Sequence, residues 1–323
     1  MKRRTLLQGA LASACVGLGL PTRAAQFPER PLQWIVPYPP GGATDSVARA
    51  VAVSMSEQLG QPVVIVNRPG GATNIGTEAA IKAAPDGYTL LLAVPPLVVN
   101  PALYPQLSYQ PLRDVQAVGL VALNPNVLVV PADSPYQNPQ QLFDAAQDKP
   151  DTMTIGSPGI GTVPHLVSLL IGQEMKVRVV PVPYKGSAAL MPDLVSGRID
   201  AAMDNLFAQV ASVRSGKVRA LATLGDQRSP LLPDVPSMKE LGLSQLAGMG
   251  WIGVVAHSGI APSRIEKLEQ AVLRAAKDPA IAGRLESMGL MVQAQGKEAF
   301  QQRLIAEAEL WQGTVRRAGV TAV

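Results

Sequence analysis

Twice along this chain, short runs of β-branched and apolar residues alternate with stretches of helical periodicity, and no other property of the sequence constrains the fold as strongly. Leu32-Gln33-Trp34-Ile35-Val36 reads as a strand, and a Gly/Pro stretch at 39–42 follows it. Val47, Val51, Met55 and Leu59 then recur at a four-residue spacing, which places them on one face of a helix. Val63-Val64-Ile65-Val66 predicts the next strand, 74–84 a helix, Pro85-Asp86-Gly87 a turn and 88–94 a third strand. Strands separated by helices predict a parallel sheet with helices on both faces.

The pattern restarts after a Pro-rich stretch between Pro95 and Pro125. Val127 to Val130 predicts a strand, Asn138-Pro139 an N-cap with a first-turn proline for a helix to about Gln147, and Met153-Thr154-Ile155 a strand. Helices near 163–173, 187–196 and 206–215 interleave with strands at 177–182, 199–203 and 218–224. Ile252-Gly253-Val254-Val255-Ala256 then echoes Val127-Leu128-Val129-Val130-Pro131: each is an apolar strand, then turn residues, then a helix. The tail after Val255 has helices at 263–276, 280–288 and 297–317 but too few strand signals for a sheet of its own. The expected architecture is therefore two α/β domains with a ligand cleft and two crossover strands, not two consecutive domains. Residues 26–125 with 250–323 form domain 1, and 126–249 form domain 2.

Composition enters through the first 25 residues. Lys2, Arg3 and Arg4 precede an apolar stretch from Leu6 to Leu20 and the small residues Thr22, Ala24 and Ala25. This is the pattern of a secretory signal peptide, with cleavage after Ala24 favoured over Ala25. Arg3-Arg4-Thr5-Leu6-Leu7 resembles a twin-arginine signal, and a Sec signal with a basic start is the equal alternative. The whole chain has 28 Lys+Arg against 24 Asp+Glu, but Lys2, Arg3, Arg4 and Arg23 belong to the leader, so the mature charge balances. A nucleic-acid partner is not expected. The single Cys, Cys15, also lies in the leader, and with two His in the chain neither a metal site nor a cofactor is expected.

The local signals for chemistry are strand–loop–helix junctions without charge in their turns. The first is Tyr38-Pro39-Pro40-Gly41-Gly42-Ala43-Thr44-Asp45 and the second Gly156-Ser157-Pro158-Gly159-Ile160-Gly161-Thr162. Glycine lets backbone approach a ligand, and the first-turn N–H groups of a helix bind an anion without Lys or Arg. One such loop per domain points to a carboxylate held between two jaws. Asp45 is read as the helix N-cap or an i, i+4 partner of Arg49. At the third junction, Pro183-Tyr184-Lys185-Gly186-Ser187, Lys185 is either an auxiliary anion contact or a solvated lysine. Asp204 is either a ligand acceptor in the cleft or the N-cap of the next helix. Gly159-Ile160-Gly161-Thr162-Val163-Pro164 lacks the third glycine of a dinucleotide fingerprint, and neither a phosphate loop nor a nucleophile elbow occurs. His165 and His257 leave a Ser–His pair open without a supporting motif.

Taken together, these stretches resemble the Bug family, the extracytoplasmic solute receptors of tripartite tricarboxylate transporters. Residues 36–45 resemble its first ligand loop; Asn67-Arg68-Pro69-Gly70-Gly71, Asn74-Ile75-Gly76, 85–90 and 100–104 resemble its next landmarks. Gly156-Ser157, Gly159, Gly161-Thr162 and His165-Leu166 are similar to its second loop, and 182–186 with Asp193-Leu194, Gly197 and Asp200 to its third. The resemblance implies a monomeric periplasmic binding protein of the type II clamp kind and not an enzyme. It implies a small organic carboxylate held by backbone amides and delivered to membrane transporter subunits, or sensed by a kinase. The candidate ligand contacts, from the junctions and the resemblance together, are Tyr38, Pro40, Gly41, Gly42, Ala43, Thr44, Pro95, Ser157, Gly159, Gly161, Thr162, Tyr184, Lys185 and Asp204. Pro158, where a second Ser is common, Thr73, where Gly is usual, and the apolar exit Val94-Pro95-Pro96-Leu97 depart from the pattern. They favour an aromatic or aliphatic acid over a multiply hydroxylated one. The alternative is a secreted α/β enzyme acting on a small carboxylate.

Overall fold

The computed structural model describes residues 27–246 and 248–322, so the leader expected at 1–25 lies outside the described residues. The first sheet contains β1 (Leu32–Val36), β2 (Val63–Asn67), β3 (Thr89–Ala93), β4 (Val115–Asn124), β10 (Gly250–His257) and β11 (Met291–Gly296), in the order β11-β4-β10-β3-β1-β2. The second contains β5 (Asn126–Pro131), β6 (Met153–Ser157), β7 (Val179–Pro183), β8 (Ala201–Asn205) and β9 (Val218–Thr223), in the order β7-β6-β8-β5-β9.

Neither sheet is wholly parallel, contrary to expectation. β1 pairs in parallel with β2 and β3, but β10 runs antiparallel to both β3 and β4. In the second sheet β6 is parallel to β7 and β8, while β5 is antiparallel to β8 and β9. The crossovers explain this. β5 arrives from the first sheet and β10 returns from the second, so each enters against the direction set by the βα repeats.

The prolines around 95–125 conceal three elements that periodicity missed: α3 (Pro96–Leu103), the single turn α4 (Pro111–Asp114) and the ten-residue strand β4. β4 is covered on both faces, so its residues form a continuous apolar run instead of an alternation. β11, Met291-Val292-Gln293-Ala294-Gln295-Gly296, carries almost no strand signal and was also missed. The expected helices are present. In α1 (Ala43–Leu59) Val47, Val51, Met55 and Leu59 all face the core, and Asn138 caps α5 (Pro139–Asp148) by accepting from the Gln141 N–H. The helices α2 (Asn74–Ile81), α6 (Val163–Glu174), α7 (Ser187–Val195), α8 (Leu206–Arg214), α9 (Pro262–Lys277) and α10 (Pro279–Ser287) complete the layers.

The C-terminal helix α11 (Lys297–Ala318) binds the two units from behind. Its Gln312 Nε2 donates to the carbonyl of Val98 in α3 at 2.8 Å, and its Thr314 carbonyl accepts from Gln173 Nε2 of α6 at 2.9 Å. On its inner face Glu307 collects three donors: Trp251 Nε1 at 2.7 Å, Trp311 Nε1 at 3.3 Å and Arg303 Nη1 at 3.2 Å. Burial raises the Glu307 pKa, against the pull of these donors. Trp251, from β10, packs edge-on against Phe300 of the same helix at 5.2 Å between ring centres. Both indoles are almost fully buried, so their N–H groups depend on this one carboxylate. Glu307→Gln keeps an acceptor and is expected to cost about 1 kcal/mol or less. Glu307→Leu strands both N–H groups and is expected to cost about 3 kcal/mol. Urea unfolding of the two variants beside the wild type checks the difference.

Candidate ligand-binding cleft

Where the two units face each other lies a cavity of about 270 Å3. The carboxyl ends of β1, β3, β6 and β8 open onto it, followed at once by the starts of α1, α3, α6 and α8. Tyr38 and Thr44 line one wall, Val94, Pro95 and Pro96 the next, and Pro158, Thr162, Val163 and Pro164 the opposite one. Asn205 and Phe207 at the start of α8, with Leu290, complete the rim. The floor is made where the chain passes between the sheets, by Asn124, Asn126, Gly250, Trp251 and Ile252. No Lys, Arg, Asp, Glu or His is among these lining residues.

The first loop is held rigidly from behind. Asp45, almost fully buried, accepts from the Gly41 N–H at 2.9 Å, from Arg49 Nε at 2.9 Å and from Asn67 Nδ2 at 2.8 Å. Burial opposes its ionisation, but the Arg49, Gly41 and Asn67 hydrogen bonds outweigh that cost and hold the carboxyl at about 2. Asp45 is thus the Arg49 partner; the N-cap of α1 is Gly42. Since the Gly41 N–H is spent on Asp45, the donors left to the cleft are the first-turn amides of 42–45, ahead of the first helical bond from Ser46 N to the Gly42 carbonyl. Pro40, Gly41 and Gly42 form the exposed crest of this loop, and Ala43 begins the helix. Burial pushes the Tyr38 hydroxyl up to about 12.

The second loop is anchored by Thr162 and His165. Thr162, the N-cap of α6, donates through Oγ1 to the Gly159 carbonyl at 2.7 Å and accepts there from the His165 N–H at 3.4 Å. His165 Nδ1 accepts from the Gly161 N–H at 3.3 Å, which requires the neutral imidazole. Gly161 sits at φ +76° with α3 pressed against it: a Cβ there would come 2.8 Å from Leu103 Cδ1. Pro158 and Pro164 have no N–H, so Val163 supplies the remaining first-turn donor. Ser157 is fully buried beneath the loop, its Oγ has no hydrogen-bond partner among the described residues, and it is not one of the residues that line the cavity.

The third junction supports the second instead of touching the cleft. Tyr184 N donates to the Ser157 carbonyl at 2.8 Å and Gly186 N to the Pro158 carbonyl at 2.9 Å. The Tyr184 hydroxyl donates to Asp193 Oδ2 at 2.9 Å, Lys185 is exposed, and neither residue lines the cavity. Asp204 is not the N-cap of α8. Asn205 is the N-cap of α8, and Asp204 is fully buried, accepting from Ser187 Oγ at 2.7 Å, Asn205 N at 2.7 Å and Gln209 Nε2 at 2.6 Å. It ties β8 to α7 and α8, and burial raises its pKa despite these hydrogen bonds. Of the expected contacts, Tyr38, Thr44, Pro95 and Thr162 line the cavity together. The floor asparagines, Trp251, Phe207 and Leu290 were missed, because they come from strands and helix ends with no motif of their own. Both imidazoles serve backbone amides: His257 Nδ1 accepts from the Gly259 N–H at 2.9 Å, as His165 does from Gly161.

Two α/β units facing each other across a cleft built from helix N-termini define a solute-binding protein of the type II periplasmic-binding-protein fold. The chain belongs to the tripartite tricarboxylate transporter family receptor group (TctC), which it matches over residues 47–319. It is 37% identical over 311 residues to the UPF0065 protein of the tcbD-tcbE intergenic region of Pseudomonas sp. strain P51, covering 96% of this chain and 93% of that one. It is 34% identical over 308 residues to protein BugT of Bordetella pertussis, covering 95% and 94%. Among solved structures, a Rhodopseudomonas palustris protein with adipate superposes with a TM-score of 0.77 at 30% identity, covering 92% of this chain and 100% of that one. MatC from Rhodopseudomonas palustris with bound malate superposes with a TM-score of 0.74 at 30% identity, covering 90% and 100%.

The second loop carries a pH dependence of known sign. Burial lowers the His165 pKa from 6.5 to about 4. As pH falls below 6.5 the unfolded chain takes up a proton that the folded protein refuses until about pH 4. Stability from this group is therefore complete above pH 6.5, and about 3 kcal/mol of it is lost by pH 4. Denaturant unfolding at a series of pH values should show this loss in the wild type and a flatter profile in His165→Gln.

Proposed function

We propose that this protein is a periplasmic receptor that captures a small organic carboxylate between two domains and delivers it to a tripartite tricarboxylate-type membrane transporter. In this reading 26–125 with 250–323 is one jaw and 126–249 the other, and the leader directs export and is then cleaved. The observation that carries it is the pairing of α1 and α6: both helices start at one cavity, lined by Thr44 of the first and by Thr162 and Val163 at the start of the second, whose lining has no charged side chain. Converging helix N-termini favour an anion, and uncharged walls impose no cost on its apolar part. Val94, Pro95, Pro96, Ile252 and Leu290 favour an aliphatic or aromatic acid over a polyhydroxylated one. Adipate and malate in the two structural relatives lend the carboxylate class support. Ligand closes the jaws by binding the closed arrangement better than the open one, and the transporter reads the closed surface.

Mass spectrometry of the extract from freshly purified protein identifies any acid carried through purification. A thermal-shift panel of mono-, di- and tricarboxylates, amino acids and nicotinate on ligand-stripped protein is then expected to give at least one saturable stabilisation. It should reach about 2.7 kcal/mol at a ligand concentration a hundredfold above Kd. The corresponding neutral amide should give none. A flat response across the whole panel overturns the proposal.

A further inference from the structure

We propose that Phe207 sets the maximum length of the ligand by plugging the passage from the cleft into a second groove, an inference that rests on the carboxylate reading above. Phe207 is the second residue of α8 and, among the described residues, the only one that lines both the cleft and a neighbouring groove of about 430 Å3. The groove runs between α8 and the turn that joins α10 to β11. Leu290 of that turn lines the cleft, whereas Gly289, one residue earlier, lines the groove, so the two spaces adjoin at this turn. The two units touch backbone to backbone here. A Cβ on Gly289, which sits at φ +79°, would lie 2.7 Å from Phe207 Cβ and 3.3 Å from its Cα. Phe207 thus borders both spaces at the point where the two units meet. Phe207 is nonetheless 43% exposed, and it makes no hydrogen bond that fixes the core.

Chemistry changes across the partition. The cleft lining has no charge, but the groove beyond Phe207 contains Arg214. Arg214 Nη2 donates to the Leu231 carbonyl at 3.0 Å, and among the described residues its other guanidinium donors have no partner. An acid bound by α1 and α6 has its far end directed at the ring and, with the ring removed, at a guanidinium. Phe207 therefore selects short acids, and its removal admits longer diacids in particular.

The test is titration calorimetry with straight-chain diacids from succinate to sebacate, and with the matching monoacids, on ligand-stripped protein. Wild type is expected to lose affinity sharply beyond a limiting chain length. Phe207→Ala should move that limit outward and strengthen the longer diacids by roughly tenfold, since each methylene sheltered from water contributes up to about fourfold. Because Phe207 also lines the cleft, the readout is the ratio of long-diacid to short-diacid affinity, which should rise by roughly tenfold whatever the change at the shortest acids. Adding Arg214→Gln should cancel the gain for long diacids while leaving that for long monoacids. Phe207→Leu, a smaller apolar plug that keeps the helix face intact, should give an intermediate limit, and the unliganded Tm of each variant reports on folding. An unchanged limit in both Phe207 variants, or an equal loss at every length, overturns the inference and leaves the receptor reading standing. Absence of binding by any acid in wild type and variants alike overturns both.

Discussion

Around Pro125 five hydrogen bonds join segments that are far apart in the chain. Leu206 N donates to the Pro125 carbonyl and Leu224 N to the Asn126 carbonyl, both at 2.9 Å, while Gly248 N donates to the Leu224 carbonyl at 3.1 Å. Asn126 Nδ2 donates to the Gly248 carbonyl and Asn124 Nδ2 to Asn205 Oδ1, both at 2.9 Å. Both passages of the chain between the sheets are thereby tied to each other and to the start of α8. Buried backbone groups need partners, so displacing any one of these segments leaves several donors and acceptors unpaired at once. The cleft depends on this knot: the asparagines that make it are also the cleft floor.

From that knot the chemistry follows without net charge. The βα repeats bring helix N-termini to one side of each sheet, and the knot turns those sides toward each other. Each ligand loop is then braced by one buried titratable group that faces inward: Asp45 holds Gly41 and His165 holds Gly161. These braces consume some of the amides that a simple count would offer to the ligand. In return they fix the loop geometry before any ligand arrives, which lowers the ordering cost of binding. The charged and ionisable groups of this region thus shape the site from behind, and the surface presented to the ligand stays neutral.

Legibility in the sequence varied with the range of the interaction. The strand–loop–helix junctions could be read because their glycines, prolines and caps act within a few residues: Val47 to Leu59 fell on the buried face of α1 and Asn138 capped α5 as expected. The direction of β5 and β10 could not, since it follows from which sheet the chain has just left. β4 was hidden because burial on both faces removes the alternation that marks a half-exposed strand. The surroundings of Asp204 and Tyr184 could not be read for a related reason. A short polar residue at the end of a strand has the same local pattern whether it faces a ligand or ties neighbouring helices together.

By itself the sequence determined the α/β class, the return of the tail to the first sheet and the two uncharged strand–loop–helix junctions. All of these rest on periodicity, composition and turn chemistry, which are properties of neighbouring residues. Only the tertiary structure decided which amides remain free, since Asp45 and His165 each claim one, and which residues wall the cavity. Asn124 with Asn126, Phe207, Trp251 and Leu290 come together from four separate stretches of chain. Their proximity is a product of packing and pairing between sheets, and no local pattern records it.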